Sequence, residues 1–319
     1  MPLTSESPYK RPNWLFSGHL ETIYPALFRK VEIQKPVRER IETPDGDFLD
    51  LDWFRSGNPR LAIISHGLEG NSSRPYMLGM AREFVQKGFD VLTWNFRGCS
   101  EEMNRKAIFY HSGATYDLHT VVSHAQAGYP ELCLVGFSLG GNLTLKYLGE
   151  QQSTNPRIKK GVAISVPLDL AKSCEKISTR ENTIYSKRFL NTLKEKVLLK
   201  SRLFPKELST KPLRKIKTLR EFDDVYTGPL HGFSDAAEYY EVNSSLQFLD
   251  RIEVPTLVLN AQNDPFLSDT CFPADLAKSL DQVHFEFPKH GGHVGFTGPY
   301  PEKSYYSERR AVEFITCDL

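Results

Sequence analysis

Little in this chain marks a specialised class of protein. Its 319 residues hold five cysteines, Cys99, Cys133, Cys174, Cys271 and Cys317, and none stands in a C-x-x-C pair. An odd, unpatterned set argues against a disulfide framework and for reduced thiols in a cytoplasmic setting. No stretch reaches the apolar length needed to span a bilayer. The opening Met1-Pro2-Leu3-Thr4-Ser5-Glu6-Ser7-Pro8 has no apolar core, so no secretory leader is expected. Internal repeats and low-complexity tracts are absent. The net charge of +1 exerts no global pull toward nucleic acid or acidic surfaces. Neither a metal nor a cofactor is called for.

What remains is an α/β pattern. Val37–Thr43 and Asp47–Phe54, joined at Pro44-Asp45-Gly46, read as an antiparallel hairpin. Strands follow at Leu61–Ser65, Asp90–Phe96, Glu131–Val135, Gly161–Val166, Thr256–Ala261 and Val283–Phe287. Helical spacing lies between them at Tyr76–Lys87, Tyr116–Ala127 and Gly141–Leu148, and again at Ser304–Thr316. Such alternation predicts a mostly parallel sheet covered by helices on both faces. Residues 1–36, rich in proline and aromatics, read as an arm with one short helix around a core formed by 1–166 and 252–319. Residues 167–251 break the alternation without a convincing strand and read as an inserted helical cap.

Gly136-Phe137-Ser138-Leu139-Gly140 is a G-x-S-x-G run. Three fixed residues recur by chance in roughly one chain in ten of this length, so the context decides. An apolar strand precedes the run and a helix follows it, the setting of a nucleophile elbow that lifts Ser138 above the sheet. A serine nucleophile needs a base, and the base needs an orienting acid. In elbow folds these follow in the order serine, acid, histidine. Asp264 stands in the loop after one late strand, and His293 stands in Lys289-His290-Gly291-Gly292-His293 after the next. His290 competes as the base, but the two glycines give His293 more reach. Asp269 and Asp275 are weaker rivals for the acid because they lie further from the strand end. An oxyanion hole needs two backbone N–H donors. Leu139, directly after the serine, supplies one, and Leu68 in Ser65-His66-Gly67-Leu68-Glu69-Gly70 is the candidate for the other, with His66 holding that loop.

The cap carries a lopsided charge, fifteen Lys and Arg against four Asp and Glu between residues 171 and 220. The bland reading is a solvated surface, and the sharper one is attraction to anionic membrane headgroups or an acidic partner. No motif supports nucleic acid as a partner.

Taken together, the segments 13–25, 65–76, 95–101, 110–118, 136–142, 263–266 and 290–296 resemble α/β-hydrolases of the YheT type. That group also holds the medium-chain ethanol acyltransferases and related membrane-tethered lipases. The resemblance implies the same triad, Ser138, Asp264 and His293, and it implies that Asn95, Arg97, His111 and Ser112 support the site. From the residues alone, His111 reads as a loop or core histidine. No N-terminal transmembrane anchor of the eukaryotic relatives is visible, which aligns the chain with the soluble, bacterial-type branch.

The expected activity is metal-free hydrolysis of small-molecule carboxylic esters through an acyl-enzyme, with short- to medium-chain acyl or lipid esters as substrates. Transfer of the acyl group to an alcohol uses the same triad and differs in water access. A silent ligand-binding protein of the same fold, or an elbow enzyme of other chemistry, are the remaining readings. The sequence does not set the oligomeric state.

Overall fold

The computed structural model of the chain describes residue 4 and residues 7–150, 155–298 and 303–317. Residues 1–3, 5 and 6 of the N-terminal arm lie outside that range. Eight strands form one sheet: β1 (Val37–Glu42), β2 (Phe48–Phe54), β3 (Arg60–Ser65), β4 (Asp90–Asn95), β5 (Glu131–Phe137), β6 (Ile158–Ile164), β7 (Thr256–Leu259) and β8 (Val283–Glu286). Their order is β1-β2-β4-β3-β5-β6-β7-β8. The hairpin strand β1 runs antiparallel to β2, and β2 runs antiparallel to β4. From β4 through β8 neighbouring strands are parallel.

Period-two alternation explains how both faces fill. On β5, Leu132 and Leu134 enter one core cluster, while Cys133, Val135 and Phe137 enter the other. Helix α1 (Gly18–Phe28) lies in the N-terminal arm. Helix α2 (Pro75–Gln86) and the last helix, Tyr306–Thr316, cover one face through Met77, Met80, Phe84, Ala311, Val312 and Phe314. Helix α3 (Thr115–Ala125) and helix α4 (Leu139–Gly149) cover the other through Leu118, Val121, Val122, Leu143 and Leu145. The fold is the α/β architecture that the alternation predicts, with one shift. Strand β6 starts three residues before its apolar run, because Ile158 and Lys160 pair with Leu132 and Cys133 of β5, and it ends at Ile164, because Ser165 turns away with φ 54°.

Between β6 and β7 the described chain is helical, led by α5 (Leu170–Ile177) and α6 (Thr183–Leu203), and it packs around a core of its own. Its lysines do not all face water. Lys194 donates to Ile216 O at 2.5 Å, Lys196 to Glu69 Oε1 at 2.7 Å, and buried Lys200 to the carbonyls of Lys106 and Ile108. Burial pushes the Lys200 ammonium down to about 7.

Candidate active site

The site begins with a strained turn. Between β5 and α4, Ser138 has φ 52° and ψ −119°, a conformation that costs of order 1–3 kcal/mol and persists where its surroundings over-determine it. Two glycines make the turn sterically feasible. A Cβ on Gly136 would stand 2.2 Å from Gly140 O, and one on Gly140 would stand 2.4 Å from His66 O. The strand, the helix and the 65–70 loop therefore approach closely only with hydrogen at both positions.

His293 comes back over this turn. Its Nε2 lies 3.0 Å from Ser138 Oγ and its Nδ1 lies 2.8 Å from Asp264 Oδ2. Because a carboxylate only accepts, Nδ1 carries the proton and Nε2 presents a lone pair to the serine hydroxyl. Asp264 is buried, and its Oδ1 accepts from Phe266 N–H at 2.8 Å. His290 is 3.5 Å from Asn263 Nδ2 and takes no part in this chain of contacts. Asp269 is exposed, and Asp275 faces solvent beside Lys278.

Sequence reasoning missed what holds the histidine loop. Thr22 Oγ1 on α1 accepts from His293 N–H at 2.8 Å, and Glu21 Oε1 accepts from Gly291 N–H at 3.2 Å. Burial raises the Glu21 carboxyl, against the pull of its hydrogen bonds from Asn263 and Gly291. Gly292 has φ 58°, and a Cβ there would meet Gly18 O at 2.7 Å. The proline-rich arm is thus a brace for the site. The polar Glu21-Thr22 pair inside an otherwise apolar helix was the available signal.

The loop after β3 leans on the same turn, since a Cβ on Gly67 would lie 3.1 Å from Ser138 Cβ. Gly67 N–H donates to Tyr76 OH at 3.0 Å, Glu69 N–H to Tyr110 OH at 2.8 Å, and Gly70 N–H to Gly67 O at 3.0 Å. Among the described residues, neither Leu68 N–H nor Leu139 N–H has an acceptor within the chain. Both residues line the cavity that contains Ser138 and His293. His66 is buried, with Nδ1 2.8 Å from Gly67 O and Nε2 accepting from Phe96 N–H at 3.1 Å. Burial pushes its imidazole down to about 3, so it holds the loop as a neutral ring.

The four residues implied by the resemblance divide. His111 and Ser112 line the cavity. Ser112 exchanges hydrogen bonds with Tyr239 OH at 3.0 and 2.8 Å, and burial pushes His111 well below the usual histidine range. Asn95 acts at one remove: its Oδ1 accepts from Ser72 N–H at 3.0 Å and so pins the segment after the Leu68 loop. Arg97 does not line the cavity. It binds Asp117 at 2.7 and 2.8 Å, Asp45 at 2.7 Å and Asp47 at 3.1 Å, fastening the β1–β2 turn to α3.

The cavity holds about 860 Å³ of empty space, its mouth included, and its wall is mainly apolar, with Ile177, Phe189, Leu193, Leu219 and Phe266 among its residues. Among the described residues, no cluster of three His, Cys, Asp or Glu side chains could hold a metal ion.

Comparison with known proteins agrees with this fold. Residues 63–297 match the family model described as alpha/beta hydrolase fold. The protein named "Putative esterase YheT" of Escherichia coli (strain K12) is 36% identical over 290 residues, spanning 88% of this chain and 84% of that protein. "Phospholipase ABHD3" of Homo sapiens is 29% identical over 329 residues, spanning 98% of this chain and 80% of that one. Among solved structures, the Pyrococcus furiosus esterase Pf2001 superposes with a TM-score of 0.58 at 16% identity, covering 90% of this chain and 97% of the other, a likeness of fold. The chain belongs to the α/β-hydrolase-fold family, among its YheT-type members.

Proposed function

We propose that this protein is a serine hydrolase that cleaves carboxylic esters. The observation that carries the reading is the continuous relay from Asp264 Oδ2 through His293 to Ser138 Oγ, at 2.8 and 3.0 Å. Ser138 attacks the acyl carbonyl while His293 Nε2 takes its proton and passes it to the leaving alcohol. Asp264 fixes the tautomer and stabilises the imidazolium. Leu68 and Leu139 N–H, both without acceptors among the described residues, receive the developing oxyanion. Water then releases the acyl group. Relatives named as an esterase and a phospholipase support an ester substrate, and the apolar cavity suits a short- to medium-chain acyl group.

In this reading residues 167–251 cap a core formed by 1–166 and 252–319. Exposed Ile184, Leu198, Leu199 and Leu203 on α6, set among lysines and arginines, support contact between the cap and an anionic lipid surface. Five free thiols suit a cytoplasmic site of action. No helix among the described residues is long and apolar enough to cross a membrane.

The test is turnover of nitrophenyl esters of increasing acyl length, together with labelling by a fluorophosphonate. Esterase activity with a short- to medium-chain optimum and stoichiometric labelling at Ser138 are expected. No turnover of any ester and no labelling would leave the fold without this function.

The cap is wired to the oxyanion loop. Glu69 has φ 53°, and its carboxylate accepts from Tyr110 OH and from Lys196 Nζ, both at 2.7 Å. Burial alone would lower the Lys196 ammonium, but Cys99 and Glu69 outweigh it and hold it above the ordinary lysine value. Lys196→Met leaves that carboxylate buried without its cation, which costs about 3–5 kcal/mol of unfolding free energy. Release of the Leu68 N–H should also lower kcat by about tenfold to a hundredfold with little change in KM. Lys196→Arg should restore most of both. A stability loss with kcat untouched would show that the pair holds the fold alone.

A further inference from the structure

The wall above Ser138 is apolar over most of its length, and one carboxylate interrupts it. Asp223 lines the cavity, and among the described residues neither a lysine nor an arginine lines it with it. Asp223 opens a π-helical turn, Asp223–Thr227, in the helical segment between β6 and β7. Such turns recur at functional positions because the extra residue redirects a side chain. Part of the Asp223 surface remains accessible, and it lies on the cavity.

Its hydrogen bonding is half used. Oδ1 accepts from Thr227 Oγ1 at 2.5 Å and Oδ2 from Tyr240 OH at 2.6 Å. A carboxylate offers about four lone-pair positions, so about two remain. Among the described residues Asp223 forms no ion pair, and the leading charge acting on it is Asp224, a second acid. Burial, with Asp224 adding to it, pushes the carboxyl up to about 6 against the two hydrogen bonds. Anchoring Tyr240 and Thr227 needs no charge, because an amide would accept from one hydroxyl through its oxygen and donate to the other through its NH2. An acid turned toward an apolar cavity is a cost that a bound hydrogen-bond donor would offset.

We propose that Asp223 recognises a substrate hydroxyl, so that the protein selects esters carrying a free hydroxyl group away from the scissile bond. The inference rests on the ester-hydrolase reading and narrows its substrate class. One cavity joins Ser138, His293 and Asp223, so a single bound molecule can touch all three. A hydroxyl fits better than an ammonium, which would shed its hydration into an apolar enclosure. A hydroxyl also bonds to either protonation state of the carboxyl. Anionic tails, whether carboxylate or phosphate, meet a like charge here and no compensating lysine or arginine.

The experiment compares matched ester pairs on wild type, Asp223→Asn and Asp223→Leu. One pair sets a nitrophenyl ω-hydroxyalkanoate against the alkanoate of equal length, with the ω-amino analogue beside them. The other sets a glyceryl monoester against an alkyl ester of similar size. The readout is the ratio of kcat/KM within a pair, which a uniform loss from poor folding does not move. In at least one pair the ratio should favour the hydroxyl ester and fall by about tenfold or more in Asp223→Leu, with Asp223→Asn between, since a neutral acceptor binds a hydroxyl more weakly than a charged one. Ratios that survive Asp223→Leu in both pairs overturn the proposal, as does a stronger preference for the amino analogue. Calorimetric binding of an α,ω-diol against the n-alkanol of equal length, in Ser138→Ala with and without Asp223→Leu, reads the same contact without turnover. If every ester is inert the hydrolase reading fails, while diol selectivity still decides the role of Asp223.

Discussion

Ser138→Ala should lower kcat on a nitrophenyl butyrate substrate by about a millionfold and abolish fluorophosphonate labelling. Oγ is the atom at which the relay from Asp264 and His293 ends, 3.0 Å from Nε2, and alanine leaves that lone pair with nothing to deprotonate. His293→Ala should cost about as much, because an unassisted serine hydroxyl is a weak nucleophile. The double variant should be no worse than either single one, since the two groups act as a unit. Residual catalysis of about a thousandfold over water should remain from the Leu68 and Leu139 donors and from binding. KM measures the cavity and not the relay, so it should change little. If either variant keeps substantial activity, or if the two losses multiply, the relay is not the catalytic unit.

The parts of this site that were legible in the sequence are those that a short segment determines. Strand β5 is an apolar run because both its faces are covered, and Gly136 and Gly140 flank Ser138 because no larger residue lets strand, helix and loop meet. His293 was distinguishable from His290 through Gly291 and Gly292, whose positive φ angles of 141° and 58° let the loop return to the elbow. Contacts between distant segments left no such trace. Nothing near Asn142 announces that its amide donates to Ser112 O at 3.0 Å and Asn243 O at 2.8 Å, joining the elbow helix to the helical segment 101 residues away. The brace from Glu21 and Thr22 to the histidine loop joins positions 270 and 271 residues apart. Lysine counts misled in the same way. Lys194, Lys196 and Lys200 look like solvated charge in a linear reading, yet each donates to a partner that the fold brings from elsewhere. Composition reports charge, and only tertiary packing reports which charges are spent inside.

Asp264→Asn should cost about four orders of magnitude in kcat while leaving the fold intact. The local hydrogen bonding dictates why. Phe266 N–H donates to Asp264 Oδ1 at 2.8 Å and, being a fixed backbone donor, requires an acceptor there. An asparagine must therefore turn its carbonyl oxygen toward Phe266 and its amide NH2 toward His293. Nδ1 then has to accept rather than donate, which moves the ring proton to Nε2. In that tautomer the nitrogen 3.0 Å from Ser138 Oγ presents a proton where the mechanism needs a lone pair. The ring stays in place, because Phe266 packs on it at 4.2 Å between centroids and His293 N–H remains bound to Thr22 Oγ1. Geometry is preserved and chemistry is lost, so kcat should collapse while thermal stability changes by about 1 kcal/mol or less. Nitrogen NMR of the imidazole would show the proton on Nε2 in the variant and on Nδ1 in the wild type. Finding Nδ1 protonated in both would mean that the asparagine oxygen faces His293 and that the tautomer is set by something other than Asp264.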